Sequence, residues 1–149
     1  MLLYPLYAVV RRPGGLWNVR KVTEELWAQA RADYATASLL REAGTYYAAV
    51  FFAQQAAEKC LKAVSREAFG RTQRGHNLIA IADALQAPLE IMNCAAELNA
   101  DYFAALYPEA AGGAPCRLYD QSSATRHLQC AERILQWARQ TVVSARTVE

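Results

Sequence analysis

The chain has 149 residues, of which 54% are hydrophobic and 20% are charged, and its formal net charge at pH 7 is +2. This length suits one domain with a core of its own, and the apolar content excludes a chain that is disordered throughout. The small net charge gives no reason by itself to expect nucleic-acid binding.

The first 17 residues are predicted to be an appendage, and residues 18–146 are predicted to form the main domain. The opening segment MLLYPLYAVV is too short to cross a membrane. Arg11 and Arg12 follow this segment, whereas the basic residues of a secretory signal precede the apolar part. We therefore expect no membrane segment and a cytoplasmic location.

Two long helices are predicted next, over about residues 18–42 and 45–69. Apolar residues of the first helix recur at the three-, four- and seven-residue spacings of one helical face. They are Val19, Val22, Leu26, Ala30, Ala37 and Leu40. Gly44 and Gly70 follow the two helices, at the positions where glycine commonly ends a helix.

Three further helices follow in the second half of the chain. Asn77 is a candidate N-cap for a short third helix, whose predicted buried side chains are Leu78, Ile81, Ala82 and Leu85. A fourth helix is predicted from Pro88 to Pro108, with the stripe Leu89, Met92, Ala96, Asn99, Phe103 and Leu106. The last helix is predicted over about residues 119–145, with the stripe Ala124, Leu128, Ala131, Leu135, Ala138 and Val142.

The predicted fold is all-α, because no segment alternates apolar and polar residues with β-branched enrichment. Long helices with short connections predict an antiparallel up-and-down four-helix bundle, with the short third helix across one end.

The second helix carries an arc of polar residues on an otherwise apolar sequence. Placed at 100° per residue, these residues span about 140° of the helix. They are Gln54, Gln55, Glu58, Lys59, Lys62, Ser65 and Arg66. The arc is explained most simply as a solvated face, with an exposed Glu58–Lys62 pair worth about 0.3–0.5 kcal/mol. The alternative is a covered surface such as a dimer contact, because Phe51 and Phe69 project from the same arc.

A run of basic residues continues from this helix into the following loop. Between Lys59 and His76 there are five cations and one acid, Glu67. The cations are Lys59, Lys62, Arg66, Arg71 and Arg74. Such a segment could receive a nucleotide phosphate or an RNA backbone, or it could be an ordinary solvated loop.

The four cysteines do not have the spacing of a metal site. Cys60, Cys94, Cys116 and Cys130 include no C-x-x-C pair, so we expect no zinc. Three of them fall within helical patterns, where a free cysteine behaves as a small buried hydrophobe. We expect free thiols, no metal and no cofactor.

The run AQQAAEKCLKAV, followed by GHNL and then LNADYFAALYP, resembles the HEPN domain family (higher eukaryotes and prokaryotes nucleotide-binding). The matching residues are Ala53, Ala56, Ala57, Glu58, Lys59, Lys62, Ala63, His76, Leu78, Leu98, Asn99, Tyr102, Tyr107 and Pro108. The resemblance covers about residues 19–146, with Leu106 where the family usually has arginine. It implies a five-helix bundle, a homodimer, a nucleotide or RNA ligand and a small nucleotidyltransferase partner, in a toxin–antitoxin pair.

Many members of the family resemble ribonucleases that have an arginine four to six residues before a histidine. Arg71 and His76 have this spacing, although they precede the short third helix, whereas the nucleases place the motif near the last helix. A histidine can act as general acid or base and an arginine can stabilise a phosphorane. A short motif of this kind also arises by chance, and His76 could simply be a hydrogen-bonded histidine at a helix start.

Three functions therefore remain open: a nucleotide- or RNA-phosphate-binding module that works with a nucleotidyltransferase, a metal-independent endoribonuclease using Arg71 and His76, and a dimerisation bundle without ligand. The candidate binding residues are Glu58, Lys59, Lys62, Arg71, Arg74 and His76. No catalytic residue is assigned. Tyr102, Phe103 and Tyr107 could stack on a base, but their helical spacing favours the core.

Overall fold

The computed structural model describes residues 16–147, so residues 1–15 of the predicted appendage lie outside the described residues. The helices are α1 Leu16–Glu42, α2 Tyr46–Phe69, α3 Leu78–Ala84, α4 Leu89–Asn99, α5 Asp101–Ala104, α6 Pro108–Ala111 and α7 Gln121–Thr147. A 3₁₀ turn over Pro115–Arg117 precedes α7. There is no strand within residues 16–147, and the predicted all-α bundle is confirmed.

Helix α2 is the centre of the bundle. It packs against α1 and α7 along its length and also contacts α3, α4 and α5. A tight turn joins α1 to α2, and Gly44 has a φ of +78° there, a conformation that glycine adopts without strain. Many of the buried residues of α2 are alanines, which allow neighbouring helices to approach closely. They are Ala49, Ala53, Ala56, Ala57, Ala63 and Ala68.

The polar arc of α2 is covered, so its interpretation as a solvated face is wrong. Gln54, Glu58 and Ser65 are buried, and Lys62 is half-buried. The physical reason is tertiary, because Asp33 of α1 contacts Lys59 and the loop before α3 brings His76 onto Glu58. A helical wheel of α2 shows only the residues of α2, so it does not reveal either contact.

Helix α4 is shorter than predicted, and its buried face differs from the predicted stripe. The buried side chains are Ile91, Cys94, Ala95 and Leu98. Leu89, which the predicted stripe includes, is 76% exposed. The predicted stripe and the buried face both have helical spacing. Because α4 packs between α3 and α7, the face that carries Leu98 is buried and the predicted stripe is not. The helix ends at Asn99, and Pro108 begins the short helix α6 where it was expected to end α4.

The predicted C-terminal end of α2 and the predicted N-terminal cap of α3 agree with the structure. Gly70 follows α2 in the left-handed conformation with φ of 69°. Asn77 caps α3, because its Oδ1 accepts a hydrogen bond from the Ala80 amide at 3.1 Å. The four predicted core residues of α3 are all buried. No helix of the described residues has the length and apolarity that a membrane span requires.

Candidate functional site

Glu58 is a buried carboxylate in the middle of α2, and only 5% of the residue is exposed. Its Oε1 accepts hydrogen bonds from Lys62 Nζ and His76 Nδ1, both at 2.8 Å. Its Oε2 accepts a hydrogen bond from Gln54 Nε2 at 3.2 Å. One carboxylate therefore holds a lysine one helical turn away and a histidine from the next loop.

Glu58 is held in its ionised form. Burial opposes ionisation, but the hydrogen bonds from Lys62, His76 and Gln54 outweigh it and place the pKa of Glu58 below its ordinary value. Because an ionised carboxylate can only accept, Nδ1 of His76 carries a proton in this contact. The His76 side chain is 56% exposed, whereas that of Lys62 is 15% exposed. A ligand therefore reaches His76 more readily than Lys62.

Lys59 belongs to the same polar network but faces α1. Its Nζ lies 2.6 Å from Asp33 Oδ2 and 3.2 Å from Gln55 Oε1. Gln55 in turn donates to Gln54 at 2.7 Å. A continuous chain of side-chain hydrogen bonds thus joins α1, through α2, to the loop that carries His76. Gln54 and Asp33 were not predicted, although Gln54 stands one turn before Glu58 on the polar arc.

Arg71 and Arg74 lie on the loop between α2 and α3, and both side chains are exposed. The Ser65 hydroxyl donates to the Arg71 carbonyl at 3.3 Å, and this fixes the start of the loop. Within the described part of the chain, neither guanidinium makes a hydrogen bond or ion pair. The structure therefore brings Glu58, Lys62 and His76 into contact, and it leaves the two arginines free on the same loop as His76.

An aromatic series begins at His76. Its ring stacks on Tyr102, with centroids 4.8 Å apart and planes 12° apart. Tyr102 contacts Phe103 edge-on at 4.7 Å, and Phe103 lies 6.5 Å from Tyr107. Phe103 and Tyr107 are 59% and 54% exposed, so the expectation that they belong to the core is wrong. They lie on the short helix α5 and just beyond it, where the helical periodicity of α4 no longer applies.

A second polar cluster lies next to this aromatic series and was not predicted. His127 of α7 is buried, and its Nε2 lies 2.5 Å from Asp101 Oδ2. Its Nδ1 lies 2.6 Å from the Ser123 carbonyl. Tyr119 donates to the other oxygen of Asp101 at 2.6 Å. Both ring nitrogens of His127 thus face acceptors, and Asp101 immediately precedes the tyrosine that stacks on His76.

The cluster around His127 is a buried ion pair. Burial opposes charge, but the contact with Asp101 and the Ser123 carbonyl raises the pKa of His127 above its ordinary value. Likewise, burial is outweighed by hydrogen bonds from His127 and Tyr119, which lower the pKa of Asp101. Asp101 and His127 are 26 positions apart in the chain, and no local motif signals their contact.

The chemistry available at the first cluster is that of an oriented imidazole beside cations. A carboxylate that holds one nitrogen of a histidine sets the orientation of the ring and leaves the other nitrogen to meet a ligand. Across the residues that the structure describes, no three histidine, cysteine or carboxylate side chains are close enough together to hold a metal ion.

The sequence matches the family model of the HEPN domain over residues 23–141. The fold is similar to the crystal structure of TT1696 from Thermus thermophilus, with 28% identity and a TM-score of 0.73 over 80% of this chain and 97% of that one. It is also similar to the crystal structure of ST0689, an archaeal HEPN homologue, with 31% identity and a TM-score of 0.71 over the same shares of the two chains. No curated protein matches this sequence.

Proposed function

This chain belongs to the HEPN family, and on that premise we propose that it binds nucleotide or RNA phosphate at the surface formed by Lys62, His76 and the Arg71–Arg74 loop. The supporting observation is the buried carboxylate of Glu58, which fixes His76 by a 2.8 Å contact. A side chain that is already held in one orientation loses little entropy when it meets a ligand, which favours recognition. Two exposed arginines on the same loop add fork-shaped donors suited to phosphate.

Each residue has a distinct role in this proposal. Glu58 contacts both Lys62 and His76, so the attraction for an anion comes mainly from Arg71 and Arg74, and His76 contributes its oriented ring. Lys62 keeps N–H donors beyond the one that Glu58 accepts, but its limited exposure makes it a positioning group. Lys59 is assigned a structural role through its contact with Asp33.

In the cell, we propose that the chain acts as a cytoplasmic homodimer beside a small nucleotidyltransferase, in a toxin–antitoxin pair. The support for this arrangement is the family resemblance. Co-purification of the tagged chain with a nucleotidyltransferase would support it, and sedimentation of the isolated chain as a monomer would contradict the homodimer.

Binding is tested by calorimetric titration with AMP and with a short single-stranded RNA. We expect His76→Gln and the double variant Arg71→Gln/Arg74→Gln each to weaken binding of both ligands. Arg139→Gln is the matched control, because it removes one exposed positive charge from α7. For the RNA, each lost phosphate contact should also make the negative slope of log K against log salt shallower by about 0.7. A flat trace for the native protein at millimolar ligand would contradict the binding site and favour a bundle without ligand.

A second function, metal-independent RNA cleavage, is favoured by the contact between Glu58 and His76. With Nδ1 bound to the carboxylate, Nε2 of His76 could take the proton of a 2′-hydroxyl as its oxygen attacks phosphorus. The bond to the 5′-oxygen would then break, leaving a 2′,3′-cyclic phosphate, and solvent would protonate the 5′-oxygen. An arginine such as Arg71 would stabilise the charge of the phosphorane.

Cleavage is distinguished from binding by incubating the purified protein with labelled RNA in the presence of EDTA. We expect Glu58→Gln to slow cleavage and His76→Gln and Arg71→Gln to abolish it, with Arg139→Gln unchanged. RNA that stays intact with the native protein, under conditions where calorimetry detects binding, would reject the nuclease and retain the binding module.

A further inference from the structure

Phe103 and Tyr107 form an exposed aromatic surface beside the loop that carries His76. Both rings are more than half exposed, and they continue the ring series that starts at His76 through Tyr102. Large apolar side chains that are exposed together commonly mark a binding surface. The cluster is defined here as the aromatic platform of Tyr102, Phe103 and Tyr107.

The platform is held in place from beneath. Asp101, at the start of α5, is bound by His127 and Tyr119 of the neighbouring cluster. Ala105, at the end of the same turn, is fully buried. With both ends of the turn anchored, Phe103 is presented to solvent on a fixed backbone. A preorganised surface of this kind suits a ligand better than a flexible one does.

The chemistry around the platform indicates which ligand it fits. The imidazole of His76 is in contact with it, and Arg71 and Arg74 lie on the loop that carries His76. Flat rings that contact His76, on whose loop two exposed arginines lie, match a molecule with a flat aromatic part and a negatively charged part. Nucleotides have both, and base–aromatic stacking is a general means of holding single strands.

We propose that the aromatic platform stacks the bases of single-stranded RNA whose phosphates lie at His76 and the Arg71–Arg74 loop. This inference rests on the proposed function and makes it more specific, because a duplex keeps all bases but the terminal pairs stacked inside and so offers few base faces to Phe103 or Tyr107. The ligand class is therefore a single strand with bases, and neither inorganic phosphate nor duplex RNA.

The test compares three fluorescently labelled RNAs by anisotropy: a hexamer of adenylate, an abasic hexamer with the same backbone, and a blunt duplex. We expect the native protein to bind the adenylate hexamer more tightly than the other two. Phe103→Ala and Tyr107→Ala should each weaken binding of the adenylate hexamer between about 5-fold and about 150-fold. Their affinity for the abasic hexamer should stay at the native value, and Phe103→Tyr should retain binding.

Leu118→Ala is the matched control, because Leu118 is also about half exposed but belongs to no ring contact of the series. It should bind all three RNAs like the native protein. Since all of these side chains are exposed, the variants should fold, and circular dichroism checks this directly.

The outcomes distinguish failure of the platform from failure of the phosphate site. Equal affinity for the adenylate and abasic hexamers, or native affinity of Phe103→Ala and Tyr107→Ala, overturns the platform and leaves the phosphate site standing. Base-dependent binding that is insensitive both to His76→Gln and to Arg71→Gln/Arg74→Gln rejects the phosphate site and retains the platform. No binding of any RNA rejects both. If the two alanine variants turn a dimer into a monomer and keep native RNA affinity, the surface is an interface between copies of this chain and the platform is rejected.

Discussion

Replacing His127 by leucine should destabilise the protein more than any neighbouring surface change. His127 is buried in α7 and donates to Asp101 and to the Ser123 carbonyl at 2.5 and 2.6 Å. Leucine has a comparable size and fills the space, but it offers no donor. The substitution therefore leaves the carboxylate of Asp101 with Tyr119 as its remaining hydrogen-bond donor among the described contacts.

The magnitude follows from the burial of the pair. Removing one partner of a buried ion pair typically costs about 3–5 kcal/mol, because the other charge is left unpaired. The Asp101 side chain is 20% exposed and keeps the Tyr119 hydroxyl, so we expect the lower end, about 3 kcal/mol. For a domain of this size, that loss corresponds to a decrease in Tm of about 10 °C.

The loss should depend on pH in both directions. The pKa of His127 is raised, so its contribution is full below the ordinary histidine value of 6.5 and is lost as the pH rises through the raised pKa. The pKa of Asp101 is lowered, so its contribution is full above 3.8 and is lost as the pH falls through the lowered pKa. The stability difference between the native protein and His127→Leu should be largest between about pH 4 and about pH 6.5.

Urea denaturation at a series of pH values measures this difference. Arg126→Leu is the control, because Arg126 is the adjacent residue and its exposed ion pair with Glu97, at 3.7 Å, should contribute at most about 0.5 kcal/mol. In the Asp101→Asn background, His127→Leu should cost less than it does alone. A loss for His127→Leu no greater than that for Arg126→Leu, or a loss independent of pH, would refute the buried ion pair.

Three further predictions concern packing, capping and thiol reactivity. Leu98→Ala should lower the free energy of unfolding by about 3 kcal/mol because Leu98 is fully buried, whereas Leu89→Ala should change it by no more than about 0.5 kcal/mol. Equal urea midpoints for the two variants would contradict the buried face of α4. Asn77→Ala should cost about 1 kcal/mol in thermal unfolding by removing the cap of α3, and an unchanged Tm would contradict that role. Burial raises the pKa of the Cys60 thiol, so a thiol reagent should modify exposed Cys116 in the native protein and Cys60 only after unfolding. Mass spectrometry of the labelled peptides measures the order of labelling, and labelling of Cys60 in the native protein would disprove its burial.

Local signals in the sequence were enough to predict the long helices α1, α2 and α7, the short helix α3 and several helix ends. Gly70 and Asn77 stand where α2 ends and where α3 is capped, because glycine and asparagine act there through their own backbone or side chain. The face of α7 was also predictable, since Ala124, Leu128 and Ala131 repeat at helical spacing and are all buried. These features depend on residues close together in the chain.

The candidate site was predicted in its residue types but not in its geometry. The polar arc included Glu58 and Lys62, and the loop included His76, yet the arc was expected to face solvent. The contact between Glu58 and His76 joins residues 18 positions apart. A wheel of one helix gives the relative directions of its side chains, and it does not show what covers them.

The amino-acid sequence by itself determined the all-α class, the order of the long helices and the family resemblance, because periodicity, caps and short motifs are local properties. Only the tertiary structure decided that Glu58 is buried, that α4 turns Leu98 inward and Leu89 outward, and that Asp101 meets His127. Each of these depends on which surfaces of distant segments meet. The pairing of these surfaces minimises exposed apolar area and unpaired buried charge over the whole bundle. It cannot be read from any single segment of the sequence.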